Sequence, residues 1–150
     1  MTPVQVVLLV AGILLVNVLL IGLAFSWIRK RKDAVVDALR AEIAAKKDLT
    51  VVLGPVLGAY QGATGGQFTR VRGMAVLAVT TDAILVRRLV GDPFDVPLAT
   101  LRGVREDKWF DGGYRSGRLH LIVQLEGAEV ALMVEEHAAW MEALRARATE

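Results

Sequence analysis

The 150 residues, 54% hydrophobic and only 23% charged, are too apolar for an ordinary soluble domain of this length. The excess lies in residues 3–28, which contain no ionisable side chain and exceed the about 20 residues that span a bilayer. The sequence contains no cysteine, which excludes disulfides, zinc–thiolate sites and thiol catalysis. The composition therefore predicts an integral membrane protein with one small domain, and argues against a secreted scaffold, a disordered chain or a soluble enzyme.

The first segment is predicted to be a permanent transmembrane helix at residues 1–28. Its apolar run is too long for a signal-peptide core, and no basic region precedes it. Four consecutive cations follow it directly: Arg29, Lys30, Arg31 and Lys32. Because cationic segments stay on the cytoplasmic side, we expect a single-pass protein of the bacterial inner (cell) membrane whose C-terminal domain is cytoplasmic.

The charge distribution argues against nucleic-acid binding. Beyond the basic cluster, residues 33–150 carry 14 lysines and arginines against 16 acidic residues. A nucleic-acid interface needs basic charge spread over a folded face. We therefore expect no nucleic-acid partner.

Three residues of the membrane segment are candidates for helix–helix contact. Asn17 lies near the middle of the apolar run, and Gly22 and Ser26 form a small-xxx-small pair. A homo-oligomer formed through this helix and a simple anchor that tolerates these residues both remain open.

Residues 29–54 are predicted to form a basic juxtamembrane segment followed by an amphipathic helix. From residue 33 to residue 47 the chain lacks glycine and proline, and Val35, Val36, Leu39 and Ile43 fall on one stripe. This helix is either a stalk continuous with the membrane helix or a short helix packed on the domain. The pattern leaves both alternatives open.

Residues 55–150 are predicted to form an antiparallel β domain that ends in a helix. Short β-rich runs recur about every ten residues between turn signals, at residues 56–63, 75–81, 83–89, 94–97, 104–110, 119–125 and 129–134. A helical pattern over residues 137–148 follows them. The fold class is therefore α+β: seven antiparallel strands in a partly open barrel or sandwich, capped by the C-terminal helix with Trp140 as its plug.

Particular segments of this domain carry a resemblance. They are GMAVLAVTTDAILVRRL at residues 73–89, the Val96-Pro97-Leu98 step, residues 119–134 and the helix centred on Trp140. Their order resembles the pleckstrin-homology (PH-like) superfold and, more narrowly, the small bacterial PH-like and GRAM-like domains. The resemblance covers residues 56–147 and implies a domain that binds lipid headgroups, peptides or other subunits.

Catalysis is not expected. The two serines, Ser26 and Ser116, lie in the membrane segment and in a glycine-rich turn. His120 is expected to be a partly exposed strand residue and His137 a helix-start residue, and their spacing matches no metal site. The glycine-rich segments lack the Lys-Ser/Thr of a phosphate-binding loop. We therefore expect no catalytic residue, no cofactor and no metal.

Two candidate surfaces remain. Arg70 and Arg72 lie in the first strand-connecting loop, where the resemblance implies headgroup contacts. The second candidate combines the residue types enriched at interface hot spots, namely Trp109, Phe110, Tyr114, Arg115 and Arg118. For this second group the open alternative is that Trp109 and Phe110 end a strand and join the core.

The preferred function is a protein-interaction or assembly module with an unidentified protein partner. The alternative is a reader of lipid headgroups on the inner leaflet that uses Arg70, Arg72 and the juxtamembrane basic cluster.

Overall fold

The structure is a computed structural model that describes residues 2–150, and its first element is the 43-residue helix α1 (Pro3–Ala45). This helix contains a segment long and apolar enough to cross a membrane, and none of that segment is buried in the protein. The chain forms two compact units, one that ends at Ala34 and a second, Val35–Glu150.

The second unit contains a seven-stranded antiparallel sheet, as the sequence predicted. Its strand order is β4-β3-β2-β1-β9-β8-β5, so β4 and β5 lie at opposite edges and the sheet stays partly open. The strands are β1 (Val51–Gly65), β2 (Gly73–Thr80), β3 (Ala83–Arg88), β4 (Phe94–Pro97), β5 (Leu101–Asp107), β8 (His120–Leu125) and β9 (Ala128–Met133). A separate two-stranded hairpin consists of β6 (Trp109–Phe110) and β7 (Gly113–Tyr114), and the C-terminal helix is α2 (His137–Ala148).

Strand β1 belongs to both halves of the sheet. Its first part pairs with β2 and its last part, from Ala59, pairs with β9. The predicted first strand, residues 56–63, is too short, because the Gly54-Pro55 dipeptide before it is a turn signal in sequence. The strand instead passes through this dipeptide with a register shift between Leu53 and Val56. Gly54 supplies the left-handed backbone, with φ +84°, that the irregularity requires.

The main core lies between one face of the sheet and α2. Trp140, Met141 and Leu144 of α2 belong to one buried cluster with side chains from β1, β2, β3, β8 and β9. Trp140 is fully buried there. The side chains of this cluster alternate along each strand, because residues two positions apart in a strand lie on the same face of the sheet.

The opposite face of β2 and β3 is covered by the last turns of α1. Val76 pairs with Arg87, and Arg87 donates hydrogen bonds to both carboxylate oxygens of Glu42, at 3.0 and 2.7 Å. Leu39 lies one helical turn before Glu42 and is fully buried. Both readings of this segment therefore hold in part: α1 is continuous to Ala45, and its end packs on the β domain.

Replacing Trp140 by alanine is expected to lower the free energy of unfolding by about 3–5 kcal/mol, because it leaves a large cavity in a close-packed core. The matched control is Trp109→Ala, which removes an indole that is 58% exposed and should cost no more than about 1 kcal/mol. Urea unfolding of the full chain in micelles, followed by pulse proteolysis, measures both without relying on tryptophan fluorescence. Equal losses for the two variants would contradict the assignment of Trp140 to the core.

The Glu42–Arg87 pair predicts a pH dependence of stability. The hydrogen bond from Arg87 holds the pKa of Glu42 below its ordinary value of 4.5. The pair therefore stabilises the fold above that value, and the contribution disappears as the pH falls through the lowered folded-state pKa. Glu42→Gln should be less stable than the unaltered chain at neutral pH, and this difference should vanish at strongly acidic pH. A difference that stays constant down to pH values well below 4.5 would show that the pair does not act through its charge.

Candidate functional site

The candidate site is built around the hairpin β6–β7, which projects from the end of β5. Asp107 ends β5 and accepts a hydrogen bond through Oδ1 from the Trp109 N–H at 3.0 Å, which turns the chain. Asp111 and Gly112 then adopt left-handed φ angles of 44° and 72°. An Asp-Gly pair in this conformation forms the two-residue turn typical of tight hairpins. The prediction of one strand over residues 104–110 is therefore wrong, because β5 ends at Asp107 and Trp109–Phe110 pairs with Gly113–Tyr114 in the hairpin.

The hairpin divides its three aromatic residues between the interior and the surface. Phe110 is buried against Ile122 and Ala131. Trp109 and Tyr114 face each other across the two strands, with ring centroids 4.8 Å apart, and are 58% and 48% exposed. The core interpretation therefore applies to Phe110 alone, and the other two form an exposed ring pair.

Arg72 fastens this hairpin to the sheet. Its Nε donates to the Gln61 carbonyl of β1 at 3.1 Å, and its Nη2 donates to the carbonyls of Phe110 and Asp111 at 3.3 and 3.0 Å. A Cβ at Gly113 would lie 2.4 Å from the Arg72 Nη1, so the guanidinium passes where only glycine leaves room. Three carbonyls in two segments thus hold one charged side chain.

The two arginines predicted to contact a headgroup, Arg70 and Arg72, differ in exposure and in hydrogen bonding. Arg72 is half-buried and turned back onto the hairpin, whereas Arg70 is exposed at the loop between β1 and β2. The Tyr60 hydroxyl donates to the Thr69 carbonyl and holds this loop, and burial raises the pKa of Tyr60 to about 12. The loop therefore presents Arg70 by itself.

A groove of about 550 Å³ lies beside the hairpin, on the outer face of β1. Three arginines line it: Arg72, Arg115 and Arg118. Its apolar lining includes Leu57, Ala59, Met74 and Met133. The structure thus brings one residue of the predicted headgroup set together with two of the predicted partner surface. Gln61 and Glu135 also line the groove, and neither was predicted from the sequence.

Gln61 is the residue that joins the parts of this groove. Its side chain is 5% exposed, and its Oε1 accepts a hydrogen bond from the Arg115 Nε at 3.2 Å. Its own carbonyl binds Arg72. The only sequence signal for this role was a long polar amide inside a run of small and apolar strand residues.

The groove carries excess positive charge. Elsewhere in the domain Arg87 and Arg105 each pair with two carboxylates. Within residues 2–150, Arg72, Arg115 and Arg118 form no ion pair, and the Arg118 guanidinium has no hydrogen-bond partner. Glu135 is the one acidic residue among those that line the groove.

The two histidines have structural positions. His120 is 1% exposed, which corrects the expectation of a partly exposed strand residue, and its Nδ1 lies 3.2 Å from the Asp107 carbonyl. The burial arises because the Phe110 ring lies over this face of β8, 6.5 Å from the imidazole. His137 begins α2, and its Nε2 lies 2.8 Å from the Glu106 Oε2. Among residues 2–150, no group of three or more metal-binding side chains is present.

The candidate contact residues of the membrane segment do not share one helix face. Gly22 and Ser26 follow Asn17 by five and nine residues, which rotates them by about 140° and 180° around the helix axis. The Asn17 amide donates to the Ile13 carbonyl of its own helix at 2.8 Å. One flat interface therefore cannot use all three residues. The basic cluster Arg29, Lys30, Arg31 and Lys32 lies in the same helix, with Lys32 4.0 Å from the Asp33 carboxylate.

Comparison with known proteins finds no protein-family model that matches this chain and no significant match among curated protein sequences.

Arg72→Ala is expected to release the hairpin and to lower the free energy of unfolding by about 2 kcal/mol, because a half-buried charged donor loses three carbonyl partners. Amide exchange at Phe110 and Gly113 should accelerate in the same variant. Arg70→Ala is the matched control, since it removes an exposed guanidinium two residues away and should change stability by no more than about 0.5 kcal/mol. Unchanged exchange at Phe110 in Arg72→Ala would disprove the fastening role.

Proposed function

We propose that this chain is a single-pass membrane protein that presents a cytoplasmic PH-like domain as a protein-interaction or assembly module. The observation that carries the proposal is the exposed Trp109–Tyr114 ring pair, held on a hairpin that Arg72 fastens to the sheet. We place the partner-binding surface at this pair and at the neighbouring Arg115 and Arg118.

The architecture supports the PH-like part of the proposal. A long first strand shared between both halves of an antiparallel seven-stranded sheet, followed by a C-terminal helix that fills the core, agrees with the fold that the resemblance implies. Folds of this kind host many unrelated activities, so the function must be argued from the surface itself.

The side chains of the hairpin support a protein partner. Large aromatic residues bury much apolar area at low cost in conformational entropy, and arginine and aromatic residues dominate interface hot spots. Here the two rings already contact each other at a tilted angle and Arg72 holds their hairpin, so binding would immobilise few additional side chains. Exposed aromatic side chains lower the solubility of a protein, so a rigid pair of them on the surface is typical of a recognition site.

The basic cluster supports the cytoplasmic orientation. Arg29, Lys30, Arg31 and Lys32 follow the apolar segment of α1 without an intervening acid. A domain placed in this way meets proteins of the cytoplasm and the cytoplasmic parts of other membrane proteins. The proposed role is binding without catalysis, since His120 and His137, the two candidate general bases of histidine type, both have polar partners within the fold.

A reader of lipid headgroups is the second candidate function. Arg70 is exposed on its loop, and the juxtamembrane cations would lie near anionic lipids. Against it, Arg72 is held by three carbonyls, which leaves Arg70 as the single free cation of the predicted pair. The protein-interaction function is therefore favoured.

The double variant Tyr114→Ala with Arg115→Ala should abolish recovery of the partner while the fold stays intact. Loss of a hot-spot aromatic costs about 2 kcal/mol or more, which is about thirtyfold in affinity. Affinity capture of the full chain from detergent-solubilised cell membranes, with quantitative mass spectrometry, measures the recovery. The melting temperature of the variant should fall by only a few degrees: both side chains are exposed, and the main loss is the hydrogen bond from Arg115 to the buried Gln61 Oε1.

The matched control is Arg70→Ala with Val71→Ala, which removes one exposed cation and one exposed apolar side chain from the neighbouring loop. Partners lost only in the hairpin variant support the proposal. If recovery of the partner falls only in the control, the partner binds the loop between β1 and β2 and not the hairpin. Unchanged recovery in both variants would also contradict the proposed surface.

A further inference from the structure

Two chemically different sets of side chains line the groove beside the hairpin. Arg115 and Arg118 belong to the segment that connects β7 and β8. Leu57, Met74 and Met133 are apolar and belong to β1, β2 and β9. Methionine side chains are flexible and polarisable, so they adapt to apolar ligands of different shape.

The charge of the groove is opposite to that of its surroundings. The chain beyond the juxtamembrane cluster carries more acidic than basic residues, yet three arginines converge here beside one acidic residue. The Arg118 guanidinium has no hydrogen-bond partner among residues 2–150, and the Arg115 guanidinium donates only to the neutral amide of Gln61. Guanidinium groups bind carboxylates through paired, charge-assisted hydrogen bonds, which are stronger than neutral ones. An anionic ligand would supply the missing partners.

We propose that this groove binds an acidic peptide segment in which carboxylate side chains are interleaved with apolar ones. The carboxylates contact Arg115 and Arg118, and the apolar side chains cover Met74 and Met133. This inference rests on the proposed function and names the chemistry of the partner at that surface. The volume of about 550 Å³ lies within the range of natural ligand pockets and accommodates a few side chains.

The apolar lining favours a peptide over a phosphate-bearing headgroup. A headgroup would satisfy the arginines and leave Leu57, Met74 and Met133 in contact with water. A segment with interleaved carboxylate and apolar side chains would pair with the arginines and cover the apolar lining at the same time.

Glu135 makes the inference testable by a change of opposite sign. It lines the groove, it is exposed, and its carboxylate would repel an acidic ligand. Arg118→Gln should weaken binding of an acidic peptide about tenfold, and Glu135→Gln should strengthen it about threefold, because each alters one charge–charge contact. Damage to the fold would weaken binding in both variants and could not produce the gain.

The experiment uses the full chain in phosphatidylcholine nanodiscs, which carry no net lipid charge. The probe is a fluorescein-labelled peptide of glutamates interleaved with leucines, followed by fluorescence anisotropy, and the matched peptide has glutamine in place of glutamate. Arg102→Gln is the control variant, because it removes an exposed arginine that pairs with Glu126 and does not line the groove. Soluble glycerophosphoserine serves as the headgroup probe.

The expected result is binding of the glutamate peptide that weakens in Arg118→Gln, strengthens in Glu135→Gln, is unchanged in Arg102→Gln and falls with rising salt. Equal binding of the glutamine peptide, or equal affinity of all variants, would overturn the inference. Binding of glycerophosphoserine that depends on Arg118, with no peptide binding, would overturn it in favour of a headgroup.

The two proposals fail separately. If the peptide does not bind but the Tyr114/Arg115 double variant still loses its partner, the acidic class is wrong and the interaction function stands. If the peptide binds through Arg118 while partner recovery does not depend on the hairpin, the groove is supported and the hairpin surface is not.

Discussion

The surface described here depends on one side chain, Arg72. A two-stranded hairpin is marginally stable alone, and β6 and β7 contain two residues each. Arg72 links β1 to the last residue of β6 and to the first residue of the turn through carbonyl hydrogen bonds, and it leaves its charge unneutralised. A carboxylate partner would have held the side chain equally well but would have cancelled the positive charge of the groove. The contact thus provides both rigidity and electrostatic potential.

The second consequence is that both faces of the sheet are occupied by different elements. The inner face packs against α2 around Trp140, while the end of α1 and the hairpin cover separate parts of the outer face. The uncovered strip between them is where Leu57, Ala59 and Met133 line the groove. Coverage of the outer face also explains why His120 and Ile122, which lie two residues apart on the same face of β8, are both buried. The proposed binding surface therefore lies on the part of the sheet that these two elements leave uncovered.

The sequence predicts the local features of this architecture and misses the long-range ones. The strands, their antiparallel order and α2 follow from period-two runs, turn signals and helical spacing, all of which act over a few residues. Asp111-Gly112 is a sequence signal for a hairpin turn, but strands of two residues are too short to show the alternation by which a strand is recognised. The contacts of Arg72 join residues 38 and 39 positions apart, and no local pattern encodes them. For the same reason the alternation of β8 predicted which way His120 points but not that the hairpin covers it.

The most direct test of this account is the backbone order of the hairpin, measured by ¹⁵N relaxation on the full chain in micelles. A hairpin held by Arg72 predicts order parameters at Trp109 and Gly113 close to those of β1, about 0.85. The neighbouring loop residue Val71 serves as an internal reference for an exposed position. Values below about 0.6 at Trp109 and Gly113, with β1 still rigid, would show a mobile hairpin and contradict the account.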